Sequence, residues 1–268
     1  EVILPSFTII SCILPVIRNG AKPILVDSDP RTWNIDVDKI EKKITSKTKL
    51  IIVPHIYGLP AEMNSILKIA KKYKLKVLED AAEVLGLTYK KKMCGSFGDV
   101  SIFSFYANKH ITTGEGGAIL TNDTIIDEKV RRLRTHGITK NPDQLENNDG
   151  PWYYEMHEIG FNYRITDFQC ALGSSQLKKL DSFVKKRHEI AKIYDESFFN
   201  VDNLKIPKTH NYAEHAYHLY PLQINFDKLT LNKSEFFEKM KESGINLQVH
   251  YIPVYLQPYY QKNYGFKK

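Results

Sequence analysis

"LIIVPHIYGLPAEMNSILKIAKKYKLKVLED", residues 50–80, changes period twice. Its ends, "LIIVPHIYG" and "LKVLED", are short β-rich apolar runs. The middle, "AEMNSILKIAKKYK", places Met63, Ile66, Leu67, Ala70 and Tyr73 at three- and four-residue spacing, which gathers them on one helical face with lysines opposite. The order strand, helix, strand predicts a parallel pair joined by a crossover. The alternation continues outward through "EVILP" and "PILVD" on one side and "VSIFSF" on the other. Residues 1–105 therefore predict an α/β domain with a mainly parallel sheet covered on both faces. Such sheets bind ligands beyond the carboxyl ends of their strands. Asp80, which ends "LKVLED", and Ser104, at the end of "VSIFSF", should face that crevice.

Further along, "GAILTND" reads as a strand and "IIDEKVRRLRTHG" as a helix stopped at Gly137. A polar loop, "TKNPDQLENNDGP", precedes "TDFQCALGSSQLKKLD", a helix capped by Thr166 or Asp167, and a long helix from about Asp181 to Phe199. The composition changes near residue 200. There "HAYHLYPLQI" and "LQVHYIPV" read as strands around a helix, "KSEFFEKMKESG". The reading divides the chain into a large domain, 1–199, and an incomplete α+β domain, 200–268. The opening "EVILP" is a strand already under way with no start methionine, so upstream sequence is expected.

The chain has 268 residues, 42% hydrophobic and 12% aromatic, a composition that excludes disorder. Its net charge of +7 suits an anionic ligand. The lysines are scattered, and the longest basic run, Lys90 to Lys92, falls at an expected hairpin turn, so nucleic acid is not an expected partner. Cys12, Cys94 and Cys170 form no CxxC pair, which points to free thiols in a reducing, cytoplasmic compartment and to no metal. The longest apolar stretch, "TIISCILPVI", falls short of the roughly 20 residues that span a bilayer.

"SFYANKHITTGEGGAIL", residues 104–120, sets Lys109 between a strand and a loop of three glycines. The loop fails both the G-x-G-x-x-G dinucleotide pattern and the G-x-x-x-x-G-K-[ST] phosphate pattern, which removes nucleotide hydrolysis and leaves a tight turn between strands. "LEDAAE" holds Glu79, Asp80 and Glu83 at a strand end, either as an acidic turn or as carboxylates aimed into the crevice. A strand-end aspartate with a later lysine provides the two anchors of a pyridoxal phosphate site: an amine for the aldehyde and a carboxylate for the protonated ring nitrogen. In "GFNYRITD", Asn162 and Arg164 either stabilise a loop entering a helix or reach a phosphate, which suits the planar fork of arginine. "MHEIG" lacks the second histidine of a zinc protease motif.

Together these residues resemble the sugar aminotransferases of the DegT/DnrJ/EryC1/StrS family. The likeness is carried by "PSFT", "GAKPILVDSDP", "LEDAAEVLG", "GSFGDVSIFSFYANKHITTGEGGAILTND", "GFNYRITDFQCALGSSQL" and "VHYIPV". It implies an aspartate-aminotransferase-like fold (fold type I), pyridoxal 5'-phosphate as cofactor, and a homodimer with shared active sites. It further implies Lys109 as the Schiff-base lysine and proton shuttle, Asp80 as partner of the pyridine nitrogen, Glu83 beside the ring hydroxyl and Ser104 on the phosphate. Asn162 and Arg164 fall in the loop that reaches the neighbouring subunit's cofactor phosphate. The implied reaction carries an amino group from glutamate to the 4-keto carbon of a nucleotide-linked deoxysugar.

Within the family, the segments from Thr135 onward look like the transaminase of pseudaminic acid synthesis, which acts on a UDP-linked 4-keto N-acetylhexosamine. "PSFTIISC" and "SFYANKHITTGEGG" look more like GDP-perosamine synthase. The pattern also departs from the family. Ile9 stands where many relatives carry an aromatic over the cofactor ring. The upstream Ser-Gly-Thr phosphate loop and the end of the C-terminal domain are missing, so a fragment with an incomplete active site is expected. The family's sugar dehydratases carry a histidine in place of the lysine. Lys109 argues against them, and its neighbour His110 is noted. A cofactor-binding relative without turnover is the non-enzyme alternative. Glu115 has no assigned role.

Overall fold

A computed structural model describes residues 1–210 and 213–267. Residues 1–121 build a six-stranded sheet. Its strands are β1 (Val2–Pro5), β2 (Pro23–Val26), β3 (Leu50–Pro54), β4 (Lys76–Asp80), β7 (Val100–Ser104) and β8 (Gly117–Thr121), in the order β2-β1-β3-β4-β7-β8. The first five are parallel, and β8 closes the edge antiparallel to β7. Between β4 and β7, the two-residue strands β5 (Thr88–Tyr89) and β6 (Lys92–Met93) pair as a hairpin that turns at Lys90 and Lys91, both with positive φ.

Residue alternation along the strands assigns the two faces. Ile3, Ile51, Val53 and Val77 pack with Met63, Ile66, Ile69 and Ala70 of α3 (Met63–Tyr73). Val2, Leu4 and Ile52 pack on the other face with Cys12, Ile13 and Val16 of α1 (Ile10–Arg18), joined by Val254 and Tyr260 from the C-terminal segment. The α3 face is the expected one, but Ile69 belongs to it, and Tyr73 at its end is exposed. The parallel sheet is thus covered on both sides. The short α2 (Val37–Ile40) starts on an Asp36 cap.

Beyond β8 lie α4 (Thr124–Leu133), the pair β9 (Ile138–Thr139) and β10 (Glu155–Met156), α5 (Asp167–Leu177) and α6 (Leu180–Phe198). Helix α4 ends at Leu133, one turn before Gly137. The chain there is drawn away to pair with the segment before α5, with His136 N donating to Phe161 O at 2.7 Å and Phe161 N to Leu133 O at 2.7 Å. Thr166 is the α5 cap, in a capping box with Gln169.

In the last part, β11 (Leu204–Lys205) pairs with β12 (Gln223–Ile224), followed by α7 (Lys233–Glu242) and α8 (Pro258–Tyr264). Two expected strands are corrected here. Only Gln223–Ile224 of "HAYHLYPLQI" is strand, and "LQVHYIPV" has none. Their backbone groups bond to loops of the main sheet instead of to a ladder: Ala216 N donates to Gly58 O, Leu219 N to Tyr57 O and Val254 N to Ser6 O. Tyr217 at positive φ further breaks the first segment. Among the described residues, no helix is long and apolar enough to cross a membrane.

Candidate active site

The carboxyl ends of β1, β3, β4 and β7 and the loops that follow them enclose a cavity of about 150 Å³. Ile9 and Ser11 line it after β1, His55 and Ile56 after β3, Asp80, Ala82 and Glu83 at the end of β4, Ser104 at the end of β7, and Lys109 in the next loop. This is the crevice that a doubly covered parallel sheet offers a ligand. A larger cavity of about 640 Å³ lies between Phe7, Trp33 and Tyr57 and the apolar side chains of α7 and residues 246–251. The smaller cavity holds the converging charges.

Lys109 projects from a loop that closes on itself, with Thr113 N donating to Phe105 O and Phe105 N to Gly116 O. Gly116 has a φ of +151°, and a Cβ there would meet the Thr113 hydroxyl, so the glycine shapes this closure. The Lys109 Nζ donates to Glu83 Oε1 at 3.3 Å and to His218 Nε2 at 3.3 Å. Glu83 also accepts from Tyr57 N at 2.7 Å and from the Tyr251 hydroxyl at 3.2 Å. Burial pushes the Glu83 carboxyl above its ordinary range, against the pull of Lys109 and the Tyr57 amide. Burial, reinforced by the Lys109 charge, pushes the His218 imidazole down to about 2. The Tyr57 hydroxyl donates to the His250 carbonyl, and the Tyr57 and Tyr251 rings stack with centroids 6.1 Å apart.

Strand alternation separates Asp80 from its neighbour Glu79. The Asp80 carboxylate faces the cavity, accepting from Ala82 N at 3.1 Å and from the Cys12 thiol at 3.3 Å. Glu79 points the other way and is fully buried. Its Oε1 accepts from His55 Nε2 and Gly95 N, and its Oε2 from Phe97 N, Gly98 N and the Ser101 hydroxyl. Ala61 N donates to His55 Nδ1 at 3.0 Å. The ligand atoms of His55, Glu79 and Cys94 lie within 4.8 Å of one another. Both ring nitrogens and both carboxylate oxygens are already hydrogen-bonded, so the cluster is a structural network.

Lys109, Asp80, Glu83 and Ser104 thus line one cavity, and Ser104 Oγ also accepts from Tyr106 N at 3.3 Å. Asn162 and Arg164 are exposed and are not among the residues that line it. Sequence reasoning missed Cys12, His55, Tyr57, His218 and Tyr251. The apolar position of Cys12 on α1 was a usable signal. His55, directly after β3, was open to the same strand-end reasoning as Asp80, whereas Tyr57, His218 and Tyr251 reach the site through contacts between distant segments, which no local pattern carries. Glu115 contributes its backbone, its carbonyl accepting from the Thr113 hydroxyl and the Gln169 amide.

The donor set fits pyridoxal phosphate, since a half-buried amine, a carboxylate and the serines Ser11 and Ser104 all line the same cavity. This sheet with this site defines a pyridoxal-phosphate-dependent aminotransferase. The chain belongs to the DegT/DnrJ/EryC1/StrS aminotransferase family, whose profile matches residues 1–268. It is 41% identical over 269 residues to the spore coat polysaccharide biosynthesis protein SpsC of Bacillus subtilis, covering 100% of this chain and 69% of that protein. It is 36% identical over 264 residues to the GDP-perosamine synthase of Escherichia coli O157:H7, covering 98% of this chain and 68% of the relative. Among solved structures it superposes on Helicobacter pylori PseC, an aminotransferase involved in the biosynthesis of pseudoaminic acid. That match has a TM-score of 0.91 and 32% identity over 100% of this chain and 70% of PseC. The class, the fold and the cofactor expected from the sequence are those of the family.

Proposed function

We propose that the chain transfers an amino group from glutamate to the 4-keto carbon of a nucleotide-linked deoxysugar, with Lys109 and Asp80 as its catalytic residues. The observation that carries this reading is the placement of the Lys109 amine and the Asp80 carboxylate on the walls of one cavity at the carboxyl ends of the strands. Bound pyridoxal phosphate supplies an electron sink for the carbon that exchanges the amino group. Asp80 would hold the ring nitrogen, since a carboxylate there favours the protonated pyridine. Ser104 would bind the phosphate, and Glu83 the region of the ring hydroxyl. Lys109 would hold the cofactor through its amine and move the proton at the reacting carbon.

Asn162 and Arg164 act across a homodimer in this reading, reaching the phosphate of the neighbouring site. Its support is the exposed apolar run around them, including Ile159, Phe161, Tyr163 and Phe168, the last 90% exposed. The free thiols suit a cytoplasmic enzyme. The favoured acceptor is a UDP-linked 4-keto N-acetylhexosamine, as for a UDP-4-amino-4,6-dideoxy-N-acetyl-β-L-altrosamine transaminase. The likeness of the segments after Thr135 and the superposition on PseC support it. A GDP-linked acceptor is the second reading, favoured by the identity to GDP-perosamine synthase.

Incubation with pyridoxal phosphate followed by borohydride should fix the cofactor on Lys109, located by peptide mass, and Lys109→Ala should lose it. Glutamate-dependent amination of UDP- against GDP-linked 4-keto sugars then identifies the acceptor. Failure to fix cofactor on Lys109 in the parent chain would refute the reading.

A further inference from the structure

We propose that His218 is a positioning residue of this reaction, a neutral imidazole whose Nε2 accepts a hydrogen bond from Lys109 and holds the lysine amine toward the cavity. The proposal rests on the role of Lys109 given above. Two acceptors meet the Lys109 Nζ, Glu83 Oε1 and His218 Nε2, each at 3.3 Å, and they lie 3.5 Å from one another. When Lys109 acts as a nucleophile its amine has given up the third proton and keeps two N–H groups and one lone pair. With both N–H groups held, the lone pair is left for the cavity that Lys109 lines. Orientation of this kind favours nucleophilic attack by the lysine amine.

Accepting from Lys109 requires the His218 proton to sit on Nδ1. That atom is buried and, among the described residues, meets no hydrogen-bond partner. An unpaired buried donor costs stability. The backbone around it is nevertheless tightly fixed. Ala216 N and Leu219 N donate to Gly58 O and Tyr57 O, and the Arg187 guanidinium donates to the carbonyls of Tyr217 and His218. A Cβ on Gly58 would come within 3.0 Å of His218 N, so glycine at 58 allows the two segments to approach.

The remaining groups around the pair explain why the ring stays uncharged. Glu83 and Asp80 face Lys109 from the end of β4, His110 stands beside it, and His250 and Tyr251 approach from the C-terminal segment. Arg187 approaches from α6. Burial and the positive charges of Lys109 and Arg187 disfavour the imidazolium. A ring that accepts a hydrogen bond without taking the proton leaves that proton with Lys109.

The test is a long-range proton–nitrogen NMR spectrum of the cofactor-free chain with nitrogen-labelled histidine, assigned with His218→Gln. His218 should show the Nδ1–H tautomer, no titration between about pH 5.5 and 8, and an Nε2 shift that moves in Lys109→Met. An Nε2–H tautomer, a midpoint inside that range, or an unmoved shift would overturn the proposal. Borohydride capture of pyridoxal phosphate on Lys109 gives the second readout. His218→Leu should slow it by about tenfold, the effect of one lost hydrogen bond. His218→Gln, whose carbonyl restores an acceptor, should stay within about threefold of the parent. Equal rates for His218→Leu and the parent would also overturn it. If the leucine variant does not fold, the tautomer and the glutamine variant still decide. If the parent captures no cofactor on Lys109, the functional reading fails, while the spectrum still tests the contact itself.

Discussion

Replacing Glu79 by glutamine keeps the side-chain volume and should remove about 3 kcal/mol of stability. Burial pushes this carboxyl upward, but His55, through its hydrogen bond and its electrostatic pull, and the amides of Gly95 and Phe97 outweigh it and hold the group at about 2, against 4.5 ordinarily. The difference converts to about 3 kcal/mol at neutral pH. Because the folded value is the lower one, this stability is present in full above pH 4.5 and is lost as the pH falls towards 2. Glutamine fails for a geometric reason as well. Each carboxylate oxygen accepts from at least two donors, so an amide nitrogen at either position must face N–H groups. Urea unfolding followed by circular dichroism, on parent and variant from pH 7 to pH 4, measures the gap. It should be constant down to about pH 4.5 and narrow below, with melting lowered by roughly 5–12 °C at pH 7. A gap under about 1 kcal/mol, or one that widens on acidification, would refute the argument. The consequence reaches the active site, since Glu79 fixes the Gly95–Gly98 loop and His55 beside Asp80.

Two other outcomes follow from the geometry. Asp80→Asn should still allow borohydride capture of pyridoxal phosphate on Lys109 but slow single-turnover reaction with glutamate by on the order of a hundredfold, since the neutral amide no longer favours a protonated ring nitrogen; undiminished turnover would show that the carboxylate has another role. Gly137→Ala should cost about 2 kcal/mol or more, because φ is +75° and a Cβ would land on the Glu158 carbonyl; faster hydrogen exchange at Phe161 and Tyr163 would mark the loosened loop that carries Asn162 and Arg164, and unchanged exchange would count against the clash.

The parts of this molecule legible in its sequence are those where the backbone bonds to its own regular element. Strands β1, β3, β4 and β7 and helix α3 follow from periodicity, and once the sheet is parallel the strand ends locate Asp80 and Ser104 at the crevice. The same reasoning distinguishes Asp80 from Glu79, since adjacent strand residues face opposite sides. "HAYHLYPLQI" and "LQVHYIPV" were misread because their apolar alternation is satisfied by loops of another part of the chain. These misread segments supply His218 and Tyr251. Lys109 meets Glu83 across 26 positions and His218 across 109, and Tyr251 meets Glu83 across 168. Local pattern thus identifies the lysine and aspartate to which the proposed chemistry is assigned. The groups that orient the lysine come from segments whose irregular backbone follows from being docked on the site they complete.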